Sequence, residues 1–264
     1  ITVTNAVVAT GKTINSKTIT AGSLNLADVN NAAAGIIKST ATTKSVFGAT
    51  DNKGEINLAG ASEFGAVTNA NKLTLTGDAV LASLTQTAGT TTAGAGLTLS
   101  ADSATAGTVS VTGLLTAAGL TNTGSVTAAR LSGKTYTGSG TSELYVTESA
   151  ALGSLALSDS GKANVTKSLT LGTSATDTGS VADGTTLTVG ETLSVVKGAA
   201  LTIASGAVVS ADTLALGDAS SAGSATVNSS SASFKHLTAA NAGSVLTNGT
   251  DLTLDDVNVT DGFT

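Results

Sequence analysis

The chain contains no Cys, Pro, Met or Trp, and only 2% of its 264 residues are aromatic. Without cysteine there are no disulfide staples and no thiolate metal sites, while the redox compartment stays open, because a coiled β-structure without disulfides suits either side of a membrane. Without proline no backbone donor is lost, which suits a chain made mostly of paired strands. Charge is scarce too, at 11% of residues, with 12 Lys plus Arg against 18 Asp plus Glu, a net charge of -6. Neutralising phosphates requires a basic stripe, so nucleic acid is not expected as a partner. An acidic, weakly charged surface repels anionic lipid, and no run of eighteen apolar residues could cross a bilayer, so no membrane insertion is expected. The chain opens on Ile1-Thr2-Val3-Thr4, a strand where Met and a signal segment could stand, and is expected to be a processed or excised piece.

What remains is small and apolar. Hydrophobic residues make up 41% of the chain and about three residues in ten are Ser or Thr. The stretch Leu193 to Ile203 shows how they are arranged: Leu193/Val195 and Leu201/Ile203 alternate with small or polar residues around a Lys197-Gly198 break, which reads as two strands and a turn. Stepping outward from Leu193, further strand starts fall at Leu73, Leu97, Leu120, Leu144, Leu169, Leu214 and Leu237, nearly evenly spaced. A column kept in step this long predicts a solenoid with one coil per interval. Leu24-Asn25-Leu26 and Val46-Phe47 continue the beat toward the N-terminus.

The fold class expected is therefore all-β, a right-handed parallel β-helix of eleven or so coils, each of about 21–25 residues. Residues 1–264 would form a single β-solenoid domain, a fragment of a longer surface protein with further coils or a cap beyond it. At roughly 4.8 Å per strand, eleven coils would make a rod on the order of 50 Å long. One local alternative stands against this: Ala32 to Lys38 could form a turn of helix.

Catalysis finds little support. Polysaccharide-cleaving β-helices need two carboxylates flanking a cleft, or a base with cationic partners. Here Arg130 is the one arginine and His236 the one histidine, and Asp255-Asp256, the only adjacent acidic pair, would point to opposite faces of a strand. Coils of even length leave no spare chain for cleft-building loops, so the chain is not expected to be an enzyme, to bind a cofactor or to hold a metal. The pattern that stands out points outward. Thr74, Thr76, Thr98, Ser100, Thr121, Thr123, Tyr145, Thr147 and Thr170 follow the column starts and would present a ladder of hydroxyls, a possible binding face; plain β-propensity of Thr explains the same residues.

The segments K-L-T-L-T-G, A-G-L-T-N-T-G-S-V, T-L-T-V-G-E-T-L-S-V and G-S-V-L-T-N-G-T-D-L-T-L resemble the passengers of bacterial autotransporters and filamentous-haemagglutinin-type secreted proteins. The resemblance implies an extracellular module at the bacterial cell surface, used in adhesion or self-association. Its partners would be a host or matrix glycan or protein surface, or identical copies of the chain. A surface-layer or extracellular-filament subunit is the alternative, since such Thr/Ala/Gly-rich chains are similar to those as well. A polysaccharide-active enzyme ranks below both.

Overall fold

The computed structural model describes residues 1–260 and 262–264. Among these there are 28 strands and no helix. Successive coils lay parallel strand on parallel strand, giving an all-β parallel β-solenoid of about thirteen turns. The chain divides into two compact units, Ile1–Leu120 with Gly124–Ala129, and Thr121–Thr123 with Arg130–Thr264.

Each coil offers three strand positions, here called the first, second and third faces, and simple alternation decides what each buries. In strand Thr186–Val189, Leu187 and Val189 are buried while Thr186 and Thr188 are half-exposed. Period-two alternation sends neighbours to opposite sides of the pleat, so apolar residues line the interior and Thr, Ser and Asn the exterior. The Lys197-Gly198 break is the turn between strands Thr192–Val195 and Ala200–Ile203. Both of its residues have positive φ, 59° and 79°, and so carry the chain round the corner from one face to the next.

In the first unit, Ile19, Ile37, Ile56, Leu73, Thr91 and Val109 stack in register on the third face. On the first face Leu26, Phe47, Phe64, Leu81, Leu99 and Ala117 do the same. The rings of Phe47 and Phe64 lie 4.6 Å apart and nearly parallel. The second face is polar inside: Asn15, Asn31, Asn52, Asn69, Gln86 and Thr105 form one register column, all buried. Asn15 Nδ2 donates to Asn31 Oδ1, Asn31 to Asn52 and Asn52 to Asn69, each at 2.8 Å. The same amides donate to the carbonyls of Ile36, Glu55, Lys72 and Thr90, where the third-face strands begin. The ladder thus closes one corner of these coils with groups that would otherwise be buried without partners.

In the second unit the interior columns are mostly apolar, with Asn122, Ser142, Thr185, Ser229 and Ser244 buried beside them. Leu131, Ala150, Leu169, Leu193, Leu214 and Leu237 share the first-face column, which ends on exposed Val257. Leu157, Val181, Ile203 and Val227 share the second, and Leu144, Ala163, Leu187 and Val209 the third. Tyr136 is the largest fully buried side chain among the described residues, 1% exposed, its hydroxyl accepting a 2.9 Å hydrogen bond from buried Asn122 Nδ2. Burial pushes its phenol up to about 12, against the opposing pull of that hydrogen bond.

Coil length departs from expectation. Register in the first unit advances from Ile36 to Glu55, Lys72, Thr90 and Thr108, one coil at each step, and every step is shorter than the spacing expected. The second unit begins with equally short steps, Leu131 to Ala150 to Leu169, and then lengthens to the expected spacing through Leu193, Leu214 and Leu237. Shorter coils make about thirteen turns where eleven were expected. The eight leucines used to set the beat are all buried. Leu169, Leu193, Leu214 and Leu237 do stack, but Leu73 lies between Ile56 and Thr91 on the third face, and Leu97 between Ala79 and Leu115 on the first. With three buried strands per coil, a short coil offers an apolar residue at almost any phase, so the longer step carried over from the other half still lands on leucine. The segment considered as a helical turn, Ala32 to Lys38, is a turn leading into strand Ile36–Ser39.

Candidate functional site

The hydroxyl positions expected to form one ladder fall on different faces. Thr74 sits on the third face of the first unit, in the outward column Thr20, Lys38, Asn57, Thr74, Thr92 and Ser110, with Thr76 exposed at the following turn. Thr98 belongs to the first face, between Val80 and Thr116, and Ser100 is exposed beyond it. In the second unit Thr121 and Thr123 are exposed on either side of buried Asn122. Tyr145 is on the third face with exposed Thr147 just after its strand, and Thr170 is on the first face between Ala151 and Ser194. The cause is the mistaken coil length, which crosses from one face to another. Register builds other rows instead. In the second unit Thr137, Ala156, Ser180, Thr202, Thr226 and Thr247 line up on the second face, a row hidden in the sequence because its spacing changes from coil to coil.

Surface depressions lie along other rows. Strands Ser23–Asn31 and Ser62–Asn69 run unbroken from the first face to the second. Along them lies an open groove of about 400 Å³ lined by Lys12, Asp28, Asn30, Asp51 and Thr68 among others. In the second unit a smaller depression, about 210 Å³, surrounds Tyr145. Its origin is a column of unequal heights: Tyr145, Asn164, Thr188 and Ser210 are register partners on successive coils, one tall ring followed by three short side chains. Glu143, Lys162 and Thr186 form the adjacent row. Tyr145 is 44% exposed, whereas Phe47, Phe64, Tyr136 and Phe234 are at most 3% exposed.

Of the charged residues weighed for catalysis, Arg130, His236 and Asp256 are drawn into exposed contacts with oppositely charged or polar partners. His236 Nδ1 lies 2.7 Å from Asp256 Oδ1, and its Nε2 lies 3.9 Å from Asp212 Oδ2. Lys235 Nζ approaches Asp212 to 2.8 Å, and its hydrogen bond and charge, with the charge of His236, hold that carboxyl below the usual carboxylate range. Sequence reasoning missed this group because its members are separated by a whole coil each way and meet only through the pairing of His236 with Thr213 and Asp256. Arg130 pairs with Glu148 at 3.7 Å. Such exposed pairs contribute little stability individually. Among the described residues no group of three or more His, Cys, Asp or Glu is placed to hold a metal ion, and no helix is long and apolar enough to cross a membrane.

Fold and surface together define a class, a parallel β-solenoid whose outward columns carry hydroxyl and amide side chains. No protein family, curated protein or solved structure matches the chain.

Proposed function

We propose that this chain is an extracellular binding module of a bacterial surface protein, engaging a host or matrix surface through its sheet faces. The observation that carries the reading is the register of the outward columns. Thr20, Lys38, Asn57, Thr74, Thr92 and Ser110 repeat hydrogen-bonding groups at one strand spacing, about 4.8 Å, over six successive coils. A repeated lattice of donors and acceptors suits an extended, repetitive partner and gains strength from many weak contacts. The sequence resemblance to autotransporter passengers points the same way. Beads coated with the folded chain should adhere to epithelial cells or extracellular matrix, and uncoated beads should not. Absence of adhesion at a dense coating would overturn the proposal.

A second reading, assembly of identical copies, is favoured by one feature of the first unit. Val8, Val46 and Val80 stand 63%, 37% and 43% exposed in a single outward column, alternating with Asn25 and Glu63. A row that exposes a valine on every second coil offers apolar contact points to another flat sheet. Sedimentation should then show association that Val46→Lys with Val80→Lys abolishes; a monomer at high concentration excludes it.

A further inference from the structure

We propose that the depression around Tyr145 is a carbohydrate site that takes one neutral pyranose ring. The inference rests on the binding-module reading above and assigns it a place and a ligand class. Three observations bear on it. This chain has six aromatic rings and buries four of them, Phe263 near the C-terminus being half-exposed, yet it leaves Tyr145 44% exposed on a sheet face. The phenol stands beside short neighbours, Asn164 and Thr188, so one side of the ring is open to a ligand of its own height. The space left, about 210 Å³, is below the usual range for drug-sized ligands and is on the scale of a single sugar ring.

The chemistry of the lining matches a sugar on both of its surfaces. A pyranose has a C–H face and a hydroxyl rim. The exposed tyrosine ring supplies an apolar plane with a polar tip. The Asn164 amide offers both a donor and an acceptor, and the Thr188 and Thr186 hydroxyls offer either. Glu143 and Lys162 stand together in the adjacent row, opposite charges on successive coils. A pair of opposite sign attracts neither anions nor cations selectively, which favours an uncharged sugar over a uronate or sialic acid. Tyr145 and Asn164 are register partners on strands about 4.8 Å apart, a spacing that lets one sugar ring reach both side chains.

The test is saturation-transfer NMR with the whole chain and methyl glycosides of glucose, galactose, mannose, N-acetylglucosamine and glucuronic acid. At least one neutral glycoside should give a signal, and glucuronide a weaker one. Tyr145→Ala should weaken binding at least tenfold, Asn164→Ala several-fold, and Tyr145→Phe less than threefold, because the stacking plane survives. Asp102→Asn, exposed in the first unit, should leave binding unchanged. Signal retained in Tyr145→Ala, or no signal from any neutral glycoside, overturns the proposal. Adhesion of coated beads that persists in Tyr145→Ala overturns it too, while leaving the binding-module reading standing; absence of adhesion by the unmodified chain sinks the broader reading instead.

Discussion

Asn52 shows how one side chain holds a coil. Its amide accepts from Asn31, donates to Asn69 at 2.8 Å and to the Lys72 carbonyl at 2.9 Å, all in the interior. A buried polar group left without its partner costs about 1–3 kcal/mol. Asn52→Ala takes the donor from Asn69 Oδ1 and from the Lys72 carbonyl, while Asn31 keeps its bonds to the carbonyls of Gly35 and Glu55, so it should destabilise the first unit by about 1–3 kcal/mol, measured as a shift in urea midpoint at unchanged slope. Tyr136 makes the corresponding prediction for the second unit. With its folded pKa raised to about 12 from an ordinary 10, the native state holds the phenolic proton more tightly than the unfolded state. Its contribution to stability is therefore complete below pH 10 and is lost as pH rises from 10 toward 12. Ultraviolet titration should show one tyrosine that ionises only near pH 12 or on unfolding, and Tyr136→Phe should remove that late step.

At the scale of the element, the turns between faces decide how closely coils approach. Gly48 ends strand Ser45–Phe47 at the bend toward the second face, and its N–H donates to Leu26 O at 2.8 Å. A Cβ added there would lie 1.3 Å from the carbonyl oxygen of Ala27 on the preceding coil. Since that obstacle is backbone, Gly48→Ala should cost about 1–3 kcal/mol. Gly11→Ala, with nothing within 4 Å of the added atom, should be neutral or slightly stabilising in the same thermal melt. On the strand Thr192–Val195, Leu193 is fully buried between Leu169 and Leu214. Leu193→Ala removes a rung from the first-face column and should cost about 2–5 kcal/mol by denaturant unfolding, depending on how far the neighbouring coils collapse into the space.

For the molecule as a whole, each coil is bonded only to the coils beside it, so stability accumulates by nearest-neighbour terms. The two units also differ inside, one corner closed by an amide ladder and the other by Leu157, Val181, Ile203 and Val227. Unfolding should depart from a single cooperative transition. Leu73→Ala should lower the midpoint of the transition assigned to the first unit, Leu214→Ala that of the second, each leaving the other within about 0.5 kcal/mol by hydrogen exchange. One coincident transition shifted equally by both substitutions would contradict this. The same modular construction suits a surface protein, because outward side chains can change from coil to coil without disturbing the columns within.

The amino-acid sequence by itself determined that the chain winds into coils of parallel strands. Alternation of Leu, Val and Ile with Thr and Ser, uninterrupted by proline, leaves strands with one apolar side that only stacked neighbours can cover. It also marked Lys197-Gly198 as a turn and the column from Leu169 to Leu237. Register was settled by tertiary structure alone. Which leucine lies over which depends on the residues absorbed at each corner, and those corners are set by long-range partners such as Asn31 with Asn52 and Gly48 with Ala27, which no local pattern reveals. An error of a few residues per coil moves a side chain to another face, so Thr74, Thr98 and Tyr145 separate although their spacing is regular, and the open ring of Tyr145 acquires Asn164 and Thr188 as neighbours only once the coils are stacked.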